Sequence, residues 1–216
     1  MNSSLEIIPA ILTTSAEDAR KKADAVSPFV RWVQLDVCDG FFAPSATWGD
    51  PRAIRTHLRN VFVEVHLMVQ NPEQSIDEWL DSGVKRIYVH YESTQHLPLV
   101  LQKIQDASIK AGVALLPQTP VDVVEAVAHT IDAVLLFSGN LGAYGGEFLE
   151  EPTLANIAAL RKQYTDIMIE VDGGMNPHTA QKVYRSGARA IVSGGFIFQS
   201  NSVRDAVEQL KSVAYN

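Results

Sequence analysis

The sequence predicts an α/β protein of the (β/α)8 TIM-barrel type, formed by a single domain over residues 1–216. Short apolar segments alternate with amphipathic ones about eight times, and no linker, charge block or low-complexity stretch interrupts them. Such alternation is typical of a parallel sheet, and about eight units close a barrel. A doubly wound open sheet is the alternative, but residues 9–14, where the first strand ends, contain no glycine for its dinucleotide fingerprint.

Eight strands are predicted from apolar, β-branched runs, and the last residues of each run mark the end where barrel enzymes place their chemistry. The predicted strands cover residues 7–12, 30–37, 61–68, 86–90, 112–116, 133–137, a seventh ending at residue 172, and 190–193. Helical spacing and N-caps predict the helices at residues 15–26, 97–110, 121–128, 152–163 and 202–214, with further helices opened by Asp50-Pro51, Asn71-Pro72 and Asn176-Pro177.

Composition limits the class of partner. Hydrophobic residues make up 46% of the chain and charged residues 20%, which is ample for a core, and the net charge is −7. A negative protein has no general affinity for nucleic acid or anionic membranes. The single cysteine suits a reducing compartment, residues 1–6 lack the order of a signal peptide, and no apolar run approaches ~18 residues. We therefore expect a cytoplasmic protein without nucleic-acid or membrane partners.

Three polar residues stand where predicted strands end, and we expect them to converge in one pocket. Asp36 ends the second strand, His66 lies near the end of the third, and Asp172 ends the seventh, immediately before Gly173-Gly174. An acid buried at such a position is costly for packing alone. The plainer interpretations are that Asp36 bonds the following turn and that His66 is a core histidine. We favour the hypothesis that the two aspartates exchange protons with a sugar phosphate.

Neighbouring residues are predicted to complete the pocket. His90 and Glu92, which close the fourth strand, are either partners of these groups or a polar rim. An apolar wall is expected from five residues near the same rim: Phe41, Phe42, Met68, Phe137 and Tyr144. Such a wall excludes water, which raises carboxyl pKa values and strengthens hydrogen bonds to a developing enolate.

Glycines in three successive loops indicate a phosphate site. They occur in residues 140–146 after the sixth strand, at Gly173-Gly174 after the seventh and at Gly194-Gly195 after the eighth. Glycines expose backbone N–H groups, and barrels often hold phosphate in the loops after their last two strands. One glycine-rich loop is also what a flexible turn contains, so the prediction depends on all three.

Five motifs, in order and spread over essentially the whole chain, resemble the ribulose-phosphate 3-epimerase family. They are LDVCDGFFAP (35–44), VHLMV (65–69), GVALLPQTP (112–120), EVDGG (170–174) and SGGFIF (193–198). The resemblance implies a divalent metal (Zn, Mn, Mg or Fe), with Asp36 and Asp172 as both metal ligands and acid–base pair and His66 as a further ligand. It also implies binding of substrate and its phosphate by Met68, Gly145, Gly146, Gly174, Gly194 and Gly195.

The sequence departs from the family pattern around the metal and the phosphate. Gln34 stands where the family has its second histidine ligand, and an amide oxygen is a poorer zinc ligand than imidazole. Ala10 replaces a serine, and Cys38 and Phe137 replace methionines. The phosphate loop, normally Asn-Pro-Gly-Phe-Gly-Gly-Gln, reads NLGAYGGE and ends in the acidic Glu147. We therefore expect metal binding to be weakened or absent.

Three functions follow in order of preference. The first is a C3 epimerase that interconverts D-ribulose 5-phosphate and D-xylulose 5-phosphate, or a close relative, through an enediolate. The second is a phosphosugar-binding barrel without turnover, serving as a sensor or subunit. The third is another phosphate-binding barrel, such as an aldolase or synthase, although none of the strand ends named above has the lysine that a Schiff base needs. We also expect a homo-oligomer, whose size no sequence feature selects.

Overall fold

Eight parallel strands close into a barrel in chain order, with β1 also pairing with β8. The structure, a computed structural model, describes residues 5–215, so residues 1–4 and 216 of the predicted domain lie outside it. The strands are β1 (Glu6–Ile11), β2 (Trp32–Cys38), β3 (Phe62–Met68), β4 (Arg86–His90), β5 (Lys110–Leu115), β6 (Ala133–Phe137), β7 (Met168–Asp172) and β8 (Ala190–Ser193). The predicted (β/α)8 barrel is confirmed.

Helices follow the strands and cover the outside of the barrel. They are α1 (Ala16–Val26), α2 (Ile54–His57), α3 (Ile76–Leu80), α4 (Leu97–Asp106), α5 (Glu150–Gln163), α6 (Pro177–Ser186), α7 (Gly195–Phe198) and α8 (Val203–Ser212). Short 3-10 segments occur at Pro51–Ala53, Pro72–Gln74, Tyr91–Ser93, Val121–Ala126 and Val213–Tyr215. Across residues 5–215, no helix is both long enough and apolar enough to cross a membrane.

Two of the helix predictions are corrected, and one short helix was not predicted. The helix expected over residues 97–110 ends at Asp106, because Ser108 has φ +59° and turns the chain into β5, which begins at Lys110. The segment expected as a helix over residues 121–128 is a 3-10 segment, Val121–Ala126. The short α7, which begins at Gly195, has no counterpart among the predicted helices.

Caps define the ends of the helices that the sequence predicted well. The Ser15 hydroxyl accepts the Asp18 N–H at 3.2 Å at the start of α1, and a cap of this kind stabilises a helix by about 1 kcal/mol. At the start of α6, the Asn176 side chain accepts two backbone N–H groups while Thr179 accepts the Asn176 N–H. That helix ends at Gly187, whose φ of +121° favours glycine.

Alternation along each strand divides the barrel wall into two faces. On β3, Val63, Val65 and Leu67 belong to the apolar layer between barrel and helices. The intervening residues point inward, because successive side chains of a strand point to opposite faces. The parallel register places Asp36 beside His66 and Phe137 beside Asp172, so these side chains share one layer of the barrel interior.

A buried charged cluster lies in the barrel below that layer. Arg86 donates to Glu170 at 2.9 Å and to the Tyr88 hydroxyl at 3.0 Å, and that hydroxyl donates to Glu170 at 2.9 Å. The Arg86 guanidinium also lies 4.6 Å from the centre of the Trp32 ring. Arg86 therefore stabilises the charged form of Glu170, but burial outweighs this contact and raises the pKa of Glu170.

Glu64 is the second acid of this cluster, and its environment favours the neutral form. Neither carboxyl oxygen of Glu64 accepts a hydrogen bond from the described residues, although Arg86 Nη1 is 3.2 Å from Oε2. Burial, together with the negative charge of Glu170, raises the pKa of Glu64 well above its usual value. Burial in this cluster thus favours the protonated, neutral form of Glu64.

Replacing Glu64 by glutamine should remove a pH-dependent loss of stability. Because the pKa of Glu64 is raised in the native state, the folded chain keeps a proton that the unfolded chain releases above its ordinary pKa of 4.5. The free energy of unfolding of the wild type therefore falls as pH rises from that value through the raised pKa. Glu64→Gln lacks this slope, so its stability relative to the wild type should increase as pH rises above 4.5.

Chemical denaturation at several pH values measures this difference, with the exposed Glu151→Gln as the matched control. If the free energy of unfolding of Glu64→Gln differs from that of the wild type by the same amount at every pH, then Glu64 titrates normally in the native protein.

Candidate active site

A cavity of about 280 Å³ opens at the carboxyl end of the barrel, where enzymes of this architecture place their active sites. Eight of the ten predicted site residues line it: Asp36, Met68, Gly145, Gly146, Asp172, Gly174, Gly194 and Gly195. The other two, Gln34 and His66, are fully buried and contact the carboxylates that line the cavity. The structure therefore brings the predicted residues together from strands that are far apart in sequence.

Asp36, His66 and Asp172 form a compact group of potential metal ligands. One atom from each side chain lies within 4.8 Å of the others. His66 Nδ1 is 3.5 Å from Asp36 Oδ1 and 3.4 Å from Asp172 Oδ2. Carboxylate oxygen and imidazole nitrogen bind zinc, iron and manganese, so this buried group could hold a divalent ion.

Gln34 presents hydrogen-bond donors to the same two carboxylates. Its Nε2 donates to Asp36 Oδ1 at 2.8 Å and to Asp172 Oδ2 at 2.7 Å, which uses both amide hydrogens. Its Oε1, the only atom of this side chain able to ligate a metal, is buried and accepts no hydrogen bond from the described residues. The three ligands thus suit an ion, but Gln34 must turn its amide before it can contribute a fourth.

Burial and charge set the protonation of this group. Burial raises the pKa of Asp36, and the charge of Asp172 raises it further, against the opposing contacts with His66 and Gln34. Burial lowers the pKa of His66, but hydrogen bonds and charge from Asp172 and Asp36 outweigh burial and raise that pKa to about 9. Without a metal, a proton therefore resides among these three side chains at neutral pH.

His90 contacts His66, and Glu92 contacts His90, so the two residues are partners of the group and not a polar rim. His66 Nε2 lies 2.8 Å from His90 Nε2, and His90 Nδ1 lies 3.2 Å from Glu92 Oε2. The other oxygen of Glu92 accepts the Leu116 N–H at 2.9 Å and the Thr119 hydroxyl. Burial lowers the pKa of His90 to about 4, so its imidazole is neutral.

The predicted apolar wall is only partly observed. Met68, Phe137 and Tyr144 line the cavity, whereas Phe42 packs against the His90 ring at 5.0 Å between centres. The prediction for Phe41 is wrong, since this side chain is 83% exposed. Asp39 Oδ1 accepts the N–H groups of Phe41 and Phe42 and holds a turn that directs Phe41 to solvent.

Tyr144 ties the glycine-rich loop to the end of β1, which the sequence did not indicate. Its hydroxyl accepts the Leu12 N–H at 3.0 Å and donates to the Ala10 carbonyl at 2.9 Å. Its ring covers Gly194, where an added Cβ would overlap it. Glu147, at the end of the same loop, is exposed and is not part of the cavity wall.

Gly173→Ala should be among the most destabilising substitutions at the site, because two costs coincide. Gly173 has φ +112°, and a Cβ there would lie 2.6 Å from the Gly139 Cα and closer still to its nitrogen. We expect a loss of about 3 kcal/mol in the free energy of unfolding from strain and overlap. Gly145→Ala is the matched control, since Gly145 has φ +88° and no described atom lies within 4 Å of where its added Cβ would be.

The control should lose only about 1 kcal/mol, from backbone strain alone. Denaturant titration of both variants measures the two losses, and equal losses would refute the close approach of the Gly139 backbone.

Comparison with known proteins shows which family this chain resembles in sequence. The model of the "Ribulose-phosphate 3 epimerase family" matches residues 6–198. A ribulose-phosphate 3-epimerase of Rhodobacter capsulatus is 33% identical, with 98% of this chain and 93% of the relative covered. A chloroplastic ribulose-5-phosphate-3-epimerase of Arabidopsis thaliana is 34% identical, with 97% of this chain and 77% of the relative covered.

Solved structures with lower identity share the fold. One is 3-hexulose-6-phosphate synthase from Salmonella typhimurium, with a TM-score of 0.72, 14% identity and coverage of 98% of this chain and 99% of that one. Another is KGPDC from Streptococcus mutans, with a TM-score of 0.75, 12% identity and coverage of 98% of each chain. These two structures support the barrel fold alone. The family model and the curated relatives, in contrast, match this chain in sequence. The chain belongs to the ribulose-phosphate 3-epimerase family.

Proposed function

We propose that this protein is an isomerase that interconverts D-ribulose 5-phosphate and D-xylulose 5-phosphate, or a close relative, by inverting C3. The observation that carries the proposal is the pair of buried carboxylates, Asp36 and Asp172, whose oxygens lie within 4.8 Å of each other at the cavity. Inversion of a carbon needs a base on one face and an acid on the other, and two facing carboxylates meet that need.

In the direction from ribulose 5-phosphate, Asp172 is the base and Asp36 the acid. Burial favours the protonated form of Asp36, which is the form an acid requires. Asp172 takes the C3 proton, the electron pair of the broken C–H bond moves into the C2 carbonyl to give an enediolate, and Asp36 delivers its proton to the opposite face. Proton exchange with solvent then restores the starting state of both carboxyl groups.

Asp36, His66 and Asp172 would hold the divalent ion, whose positive charge would stabilise the negative charge that develops on the substrate oxygens. Oxygen-rich ligands suit Mg²⁺ and Mn²⁺ as well as Zn²⁺ and Fe²⁺. Gln34 weakens the site, because its amide hydrogens bind the carboxylate oxygens that an ion would use. In the absence of an ion, those same hydrogens keep the two carboxylates in place.

Backbone amides of the cavity loops would bind the substrate phosphate. Gly145 and Gly146, Gly174, and Gly194 and Gly195 line one side of the cavity. With a net charge of −7, the chain depends on N–H groups in these loops to attract an anion. Met68 and Phe137 form the apolar wall on the side of the reacting carbons.

A coupled assay for xylulose 5-phosphate tests the proposal. Protein incubated with ribulose 5-phosphate and about 1 mM Mn²⁺ should form xylulose 5-phosphate well above background, and prior chelation should lower the rate. Absence of product with every one of the four metals would refute epimerase activity on this substrate.

A phosphosugar-binding role without turnover is the second candidate, and the hydrogen bonds of Gln34 to both carboxylates favour it. An amide that holds the acid–base pair could leave binding intact while blocking proton transfer. Calorimetric binding of ribulose 5-phosphate together with no product, and recovery of product in Gln34→His, would identify this case.

We further propose that residues 1–216 act as one cytoplasmic domain that assembles with copies of itself. The exposed apolar side chain of Phe41 (83%) is available to such an interface. Light scattering should give a multiple of 23.7 kDa, and a mass of 23.7 kDa would show a monomer.

A further inference from the structure

Two buried histidines meet through their Nε2 atoms, and this contact restricts where their protons lie. His66 Nε2 and His90 Nε2 are 2.8 Å apart, and both side chains are fully buried. A contact this short needs one donor and one acceptor. Either His66 donates to His90, or His90 donates to His66.

Glu92 decides between these arrangements. Its Oε2 is 3.2 Å from His90 Nδ1, and its Oε1 accepts the Leu116 N–H and the Thr119 hydroxyl. A carboxylate can only accept hydrogen bonds, so His90 must have its proton on Nδ1. His90 Nε2 is then the acceptor, and His66 must donate from Nε2.

We propose that Glu92 and His90 are positioning residues that keep a proton on His66 Nε2, so that Nδ1 is the nitrogen that faces Asp36 and Asp172 and gives up its proton when a metal binds. That nitrogen lies 3.5 Å and 3.4 Å from oxygens of the two aspartates, which is where a metal ligand is needed. Partners that orient a ligating histidine in this way typically change metal affinity 10–100-fold. The inference rests on the proposed function only in assigning His66 to the active site.

Nitrogen NMR of protein labelled with ¹⁵N-histidine tests the proposal, because long-range ¹H–¹⁵N spectra distinguish protonated Nδ1 from protonated Nε2. His90 should have its proton on Nδ1 in both the metal-free and the Zn²⁺-loaded protein. In the Zn²⁺-loaded protein, His66 should keep its proton on Nε2, and its Nδ1 should show the shift of a metal-bound nitrogen.

Glu92→Gln should reverse the direction of the hydrogen bonds from Glu92 through His90 to His66 without changing the shape of the side chain at position 92. The Leu116 N–H keeps the amide oxygen on its side, so the new NH2 group faces His90 Nδ1 and donates to it. His90 then has its proton on Nε2, and His66 has its proton on Nδ1, where it opposes metal binding. We expect Zn²⁺ affinity, measured by calorimetry, to fall at least tenfold.

Glu73→Gln is the matched control, because the Glu73 carboxylate also accepts a threonine hydroxyl, from Thr94 at 2.6 Å, but orients no histidine of the candidate metal site. It should leave both the tautomers and the Zn²⁺ affinity unchanged. A purely structural role for Glu92 predicts unaltered tautomers in Glu92→Gln, and that result would overturn the proposal.

The wild-type spectrum alone is decisive if Glu92→Gln fails to fold, since an Nε2 proton on His90 also overturns the proposal. The spectra need no substrate, so they separate this inference from the proposed function. An inactive protein with the expected tautomers would refute only the proposed epimerisation. An active protein with His90 protonated at Nε2 would refute only the positioning role of Glu92 and His90.

Discussion

Asp172→Asn should reduce epimerisation of ribulose 5-phosphate by about 10²–10⁴-fold, because the variant lacks the base that removes the C3 proton. The asparagine keeps the size of the side chain and an oxygen for the contact with Gln34. In xylulose 5-phosphate the C3 proton faces Asp36, so this variant should still exchange that proton with deuterated solvent without forming ribulose 5-phosphate.

Asp36→Asn should show the mirror image. It should exchange the C3 proton of ribulose 5-phosphate through Asp172 but form no xylulose 5-phosphate. Asp166→Asn is the control, since Asp166 is exposed in the segment before β7, at the opposite end of the barrel. Loss of exchange with both substrates in both variants would contradict the assignment of one carboxylate to each face.

Gln34→His should strengthen metal binding by about 100-fold or more, at the upper end of the effect of altering the partner of a metal ligand. Imidazole nitrogen is a better ligand than an amide oxygen, and the change also removes two hydrogen bonds that compete for the carboxylate oxygens. Calorimetric titration with Zn²⁺ and Mn²⁺ measures the gain without an assay of activity.

Gln70→His is the matched control, because Gln70 is a glutamine outside the cavity, just beyond the end of β3. It adds a histidine without changing the carboxylates. Equal affinities of the wild type and Gln34→His would show that position 34 does not take part in metal binding.

Much of the fold could be predicted because local patterns mark it. The strands at β4, β6 and β8 match their predicted bounds, since each is a short apolar run between turn signals. The convergence of Asp36, His66 and Asp172 followed from a single rule, that parallel strands of a barrel end at one face. The helix α6 begins at Pro177, as the Asn176-Pro177 pair predicted.

Features that depend on contacts across the barrel could not be predicted. Glu64 and Glu170 lie two residues before His66 and Asp172 on their strands, so alternation alone places all four inward, but only the structure shows that Arg86 joins the two acids. The bond from Gln34 to Asp172 spans 138 positions, and that from Tyr144 to Ala10 spans 134. The alternation of residues along a strand predicts which side chains point into the barrel. Which groups those side chains contact depends on how the strands pair when the barrel closes.

Deuterium at C3 of the first product formed in deuterated water tests the central claim most directly. Two carboxylates on opposite faces remove one proton and deliver another, so early xylulose 5-phosphate from wild-type protein should contain solvent deuterium at C3. Ribulose 5-phosphate recovered at the same time should still be mostly protiated. Early product that retains the original proton would mean that one group both removes and returns it, and would contradict the roles given to Asp36 and Asp172.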